Sequence, residues 1–268
     1  DVSSWGDEWG LPEGLPGCYI YNPGEDMTIT LDVDGDGTAE SITVPGDKLG
    51  PKAKRYYKAL TLGAEKHTDK WYASLNYTWA KLNGNYEGLV KSTNGQDDTG
   101  TTSDFDFAEI MYGADGYLFN DHRHTFKLYG GYSFNDEWQV GANLQVQSGA
   151  PISCLGGGYG SFGTEYGYAG VFHTCNVGED DIAKLGTAGR TPWTVNFSPN
   201  VVYRPGWLDG LSVQLSVMNL FNSIKPLQVY ETRYSQNSAG TITNYYNYQV
   251  GKYYTTPRYA RLQVQYDW

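Results

Sequence analysis

The stretch RYARLQVQYDW, residues 258–268, alternates from Ala260 to its end. Ala260, Leu262, Val264 and Tyr266 form one series, and Arg261, Gln263, Gln265 and Asp267 form the other. A period of two is that of a β-strand with one apolar and one polar face. Whether the apolar face meets a protein interior or lipid decides the fold.

Upstream, six further runs carry the same pattern, at 56–67, 71–82, 124–134, 138–149, 191–205 and 211–222. In the second, Trp71, Ala73, Leu75, Tyr77 and Trp79 oppose Tyr72, Ser74, Asn76 and Thr78. In the fourth, Trp138, Val140, Ala142, Leu144 and Val146 oppose Gln139, Gly141, Asn143, Gln145 and Gln147. The connections alternate between short turns, such as Thr68-Asp69-Lys70, and long polar stretches, such as 83–121. The runs reach about 11–13 residues, beyond the five or six usual in soluble sheets and long enough to cross a bilayer tilted. These features predict an all-β fold: an antiparallel transmembrane β-barrel segment of seven long strands, with short periplasmic turns and long extracellular loops. The polar face is mostly uncharged, suiting a hydrated lumen. Trp71, Phe134, Trp138, Tyr203, Tyr266 and Trp268 fall beside short turns or at the end of the chain, as an aromatic girdle would. A soluble barrel or sandwich would instead turn the apolar face inward, burying many Trp and Tyr polar atoms.

Composition agrees. Of 268 residues, 24 are Tyr and 34 are Gly, while Met and Cys number three each, a strand-and-turn bias. No apolar run is long enough for a transmembrane helix, which says nothing about strands. A net charge of −11 argues against nucleic acid as a partner. The opening DVSSWGDEWG has neither the basic start nor the apolar centre of a signal peptide, so the chain is expected to be mature or a piece of something longer. Residues 1–55, punctuated by Pro, Gly and Asp, are expected to form an extracellular loop region with an Asp-rich hairpin. Residues 56–268 are expected to supply the barrel strands. An odd strand number with an exterior start predicts the last third of a larger barrel, since bacterial barrels close with even numbers.

Cys154 and Cys175 bracket a Gly/Tyr-rich loop and are expected to pair in an oxidising compartment, the alternative being two free thiols. Cys18 is left over. In DVDGDGTAE, Asp32, Asp34, Asp36, Thr38 and Glu40 hold the first, third, fifth, seventh and ninth positions of an EF-type calcium loop, with Gly37 at the sixth. The twelfth position is Thr43 rather than Glu, so a further ligand is expected from Asp47, Glu25 or Asp26. Asp-Gly pairs also favour plain hairpin turns, and Ca2+ and turn readings both stand. No catalytic constellation emerges. His122 and His124 beside Asp121 read as interface or lumen residues, and GGGYG at 156–160 lacks the Lys-Ser/Thr of a phosphate loop and reads as flexible. Tyr159, Tyr166, Tyr168, Tyr245, Tyr246 and Tyr248 place stacking and hydrogen-bonding groups in long loops, where an extracellular ligand would be captured.

Asn219-Leu220-Phe221-Asn222, followed by a loop and the terminal strand, resembles the end of TonB-dependent outer-membrane receptors. The Asp-rich and Tyr-rich loops look most like the Oar-like branch. The resemblance implies that the Asn-Leu-Phe-Asn segment lies on the penultimate strand. It implies that Val264, Tyr266 and Trp268 belong to an assembly signal read in the bacterial outer membrane. It further implies a barrel of about 22 strands around a plug, surrounded by outer-membrane lipid, and energy coupling through the TonB complex. The plug and the TonB-contacting segment are not among these 268 residues. The other readings are a surface adhesion or structural barrel protein, and a soluble secreted calcium-binding β-protein.

Overall fold

The computed structural model describes residues 21–32, 36–88, 105, 111–158, 170–176 and 182–268. A short hairpin comes first, β1 (Met27–Leu31) against β2 (Glu40–Val44). Ile29 and Val44 from the hairpin close with Leu49 into a small apolar core.

The long runs follow as β3 (Arg55–His67) and β4 (Trp71–Gly84), then, after the two-residue β5 (Gly116–Tyr117), β6 (His124–Ser133) and β7 (Trp138–Gln147). Beyond β8 (Leu155–Gly158) and β9 (Gly170–Phe172) come β10 (Thr194–Tyr203) and β11 (Leu211–Met218). The chain continues through β12 (Pro226–Val229), β13 (Thr232–Gln236), β14 (Ile242–Asn244) and β15 (Gly251–Tyr254) to β16 (Tyr259–Tyr266). The seven long strands form one antiparallel sheet in the order β16-β11-β10-β7-β6-β4-β3. Consecutive neighbours place every short turn at one end of this wall and every long connection at the other.

Register decides the faces, because residues directly opposite one another share a side. Ala64, Leu75, Leu128, Leu144 and Phe197 form one continuous row across five strands. Leu62, Tyr77, Phe126, Val146 and Val195 form the next. The intervening rows are polar: Gly63, Asn76, Lys127, Gln145 and Asn196, then Glu65, Ser74, Tyr129, Asn143 and Ser198. Nothing among the described residues forms a second layer over the apolar rows: Val264 is 62% exposed and Trp138 is 43% exposed. Trp138, Leu144 and Val264 therefore do not converge on a dry protein core. At the short-turn end Trp138 stacks on Tyr203 at 4.4 Å, and Tyr132 meets Phe134 edge-on at 5.0 Å, so the predicted aromatic cluster lies on this same face.

The wall is open. Its two outermost strands, β3 and β16, are exposed along their whole length. Lipid leaves no unpaired strand edge satisfied, so this sheet is a segment of a barrel that needs further strands at both edges.

The Asn-Leu-Phe-Asn segment corrects one expectation. β11 stops at Met218, and the segment is a tight turn beyond it. Asn219 and Asn222 both take φ of 50°, the left-handed region that Asn tolerates better than other side chains. The side chain of Asn219 is buried and bonds three backbone groups: its amide donates to Ser223 O and Thr256 O, and its oxygen accepts from Ser223 N. Asn222 Oδ1 accepts from Arg258 N at 2.9 Å, fastening the turn to the approach of β16. A strand could not offer this geometry. The motif marks where the wall ends.

The outer loop assembly as candidate functional site

The long connections do not hang free. β8 and β9, from the second, join β13 and β14, from the third, in a four-stranded sheet of order β14-β13-β8-β9. β13 and β8 run parallel within it. β12 and β15 pair separately. Tyr117 N, in the first connection, donates to Leu185 O in the second at 2.9 Å, and Leu82, Leu118 and Leu185 bury one another beneath that bond. All three connections are thus one packed body above the wall.

Polar groups hold it. The Asp121 side chain is fully enclosed, with Oδ1 accepting from Leu82 N at 2.6 Å. Its Oδ2 accepts from Arg123 Nε at 2.7 Å and from the Arg190 guanidinium. Arg190 also donates to Asp121 O and to Gly149 O. Burial pushes the Asp121 carboxyl up, but the Leu82 amide and the two guanidinium groups more than reverse this and leave it below its ordinary value. The Arg123 and Arg190 guanidinium groups lie 4.5 and 5.8 Å from the Tyr117 ring centre.

A second polar joint ties the second connection to the third. Glu231 is 8% exposed, and its carboxylate accepts from Ser153 N at 2.5 Å while its carbonyl accepts from Leu155 N. Burial is the main effect on this carboxyl and raises it above its ordinary value against the Ser153 hydrogen bonds. Beside it Cys154 and Cys175 are joined in a disulfide with Cα atoms 5.0 Å apart. Thr174 Oγ1 and the Tyr234 hydroxyl are 2.8 Å apart. The Tyr234 ring occupies the place of the Cβ that Gly156 lacks. Glycine in the GGGYG stretch therefore admits an aromatic ring; Gly156 and Gly157 belong to a strand rather than a flexible loop.

Of the predicted ligand-loop residues, Tyr246 is 99% exposed, Tyr245 is 40% exposed and Tyr248 is half-buried. Tyr159, Tyr166 and Tyr168 lie outside the described residues, as does Cys18. His122 Nδ1 lies 2.6 Å from Ser148 O, while His124, on the apolar face, lies 2.8 Å from the Tyr77 hydroxyl. The two do not share a site.

At the Asp-rich hairpin tip, Asp32 accepts from Asp36 N and Gly37 N, and Asp36 Oδ1 accepts from Thr38 N. Asp34 lies outside the described residues, among which no three His, Cys, Asp or Glu gather as a metal-holding group. Glu25, Asp26 and Asp47 flank the other end of the hairpin. Glu25 pairs with Lys52 at 2.9 Å, and Asp26 accepts from Gly46 N. The structure does not bring them to the tip.

Sequence reasoning missed the Asp121 and Glu231 joints. Asp121 and Arg190 are 69 positions apart and Ser153 and Glu231 are 78 apart, so no local spacing announces either pair.

A lipid-facing antiparallel wall with turns at one end and a packed loop body at the other defines a segment of an outer-membrane β-barrel. TonB-dependent transporter Oar of Myxococcus xanthus is 34% identical to this chain over 193 residues, 70% of the chain. The chain belongs to the TonB-dependent outer-membrane receptors, as a portion of their barrel, and its place is the bacterial outer membrane. It spans only 17% of that relative's length. No protein-family model matches it. Among solved structures, the closed form of the ferric-catecholate import receptor Fiu of E. coli K12 aligns with 89% of this chain and 23% of its own, at 18% identity and a TM-score of 0.41. The outer membrane transporter YddB of Escherichia coli aligns with 91% of this chain and 28% of its own, at 11% identity and a TM-score of 0.44.

Proposed function

We propose that the complete protein is an energised transporter, and that this chain supplies part of its wall and the loop body that captures an extracellular ligand. The observation that carries the reading is the 34% identity to a TonB-dependent transporter, joined to a wall whose apolar rows face outward and whose polar rows line an interior. Exposed Tyr245 and Tyr246, on a body stiffened by a disulfide and two buried carboxylate joints, support ligand capture there. Residues 1–55 would belong with the exterior loops. A plug and contact with the TonB complex would come from the remainder of the protein. Calcium at Asp32, Asp34, Asp36, Thr38 and Glu40 is a separate proposal resting on their spacing. Calorimetric titration without binding up to millimolar Ca2+ would leave the hairpin turn as the role of these residues.

The transporter reading is tested by passing solubilised complete protein over the immobilised periplasmic domain of TonB. Retention is expected. Its absence, from a protein still correctly inserted, would favour a barrel serving adhesion or structure.

A further inference from the structure

We propose that the outer rim of the lipid-facing side binds the phosphate of an outer-leaflet lipid through Lys58 and Lys81. The inference rests on the barrel placement and not on transport, so the two stand or fall separately.

Lys58 and Lys81 are directly opposite in the β3–β4 ladder, hence side by side on one face. That face is the apolar one, because the next row toward the turns is Leu60, Trp79 and His124. Lys81 lies ten residues beyond Trp71 along β4. At about 3.4 Å per residue and a tilt of about 40°, that is a climb of roughly 25 Å, the height of a barrel's apolar band. Trp71 thus marks one interface and the lysine pair the other. Trp79, 42% exposed, lies in the row just below the pair, and Trp193, 52% exposed, stacks on His124 of that same row at 5.8 Å, as interfacial aromatics do.

Two ammonium groups facing one another across a ladder repel, and neither lysine makes an ion pair among the described residues. Lys81 Nζ is 5.6 Å from the centre of the Tyr117 ring, the ring that Arg123 and Arg190 also approach. Three cations therefore gather about the Tyr117 ring, with Lys58 beside Lys81 across the ladder, and Asp121, which contacts the two arginines, is enclosed and shared between them. The chain as a whole carries a net charge of −11, so this concentration runs against its composition. At the depth of lipid headgroups, the complementary charge is a lipid phosphate, which two ammonium groups would clasp from either side.

The test uses complete protein in detergent and two probes: lipid A, an acylated disaccharide bearing two phosphates, and the same lipid with its phosphates removed. Native mass spectrometry reads how much of each is retained. At least tenfold preference for the phosphorylated lipid is expected. The K58Q/K81Q double variant should lose that preference. K58R/K81R should keep it, and so should K127Q, on the polar face. Equal retention of both lipids by the wild type, or an unchanged preference in K58Q/K81Q, overturns the proposal.

Discussion

In the seven-strand wall large apolar side chains are exposed along one whole face; the loop body above it encloses a set of apolar side chains, and carboxylates are buried with them. Val264 is 62% exposed while Leu118 is 1% exposed and Asp121 is 1% exposed. The difference is one of solvent. The wall's backbone is satisfied ladder by ladder, so its side chains need only match lipid on one face and water on the other. The loop body stands in water, where irregular backbone must be satisfied and apolar surface hidden. Lys54 N bonding Asn85 Oδ1 and Leu82 N bonding Asp121 Oδ1 show side chains taking over where ladders stop.

Four measurements on the complete protein put this contrast to the test. The largest effect is expected at Asp121. Asp121→Ala leaves two arginines and the Leu82 amide without their shared acceptor and should destabilise the loop body by about 3–5 kcal/mol. Hydrogen exchange should rise in the loops and leave the wall strands protected; equal loss in both would mean the two regions are not separate cooperative units.

The next tests the wall's faces. Leu144 and Asn143 are neighbours on opposite sides of β7. Leu144→Arg should cost about 2–4 kcal/mol as a charge facing lipid near mid-height, whereas Asn143→Arg should be tolerated. Denaturant titration in lipid bilayers reads both, and the reverse order would place lipid on the wrong side.

Opening the disulfide should cost about 3 kcal/mol, given a sequence separation of 21 between Cys154 and Cys175. Cys154→Ser with Cys175→Ser should make β8 and β13 sensitive to protease without altering membrane insertion.

The smallest effect is in pH. Asp121 is held below its ordinary carboxyl value, so its contribution is full above that range and is lost as pH falls through the depressed value. Glu231 is raised by burial, so its contribution is full below the ordinary value of 4.5 and is lost as pH rises through the raised one. Glu231→Gln, which keeps an acceptor for Ser153 N, should flatten the second limb and leave the first. Loop protection measured between pH 3 and 8 would show it; two unchanged limbs would remove Glu231 from the account.

The wall was legible because its rule is local. A strand with lipid on one side writes a period of two into every run, and Trp138 through Gln147 can be sorted into faces without any neighbour. The long connections carry no such period. Their small strands, such as Leu155–Gly158 and Thr232–Gln236, are too short and glycine-rich to announce themselves, and they pair in parallel across a separation of more than 70 residues. The Asn219 turn misled for a related reason: an apolar Leu-Phe between two asparagines continues the look of a strand, while the left-handed backbone at each Asn ends it.

Sequence alone determined the all-β class, the seven long strands, the side each residue takes and the end at which the turns lie, because alternation and turn chemistry act between residues a few positions apart. Tertiary structure alone decided that the outer connections form one body and that Asp121 and Glu231 are its joints. Those depend on which distant segments meet, and the free energy of such meetings resides in burial and shared hydrogen bonds that no short stretch contains.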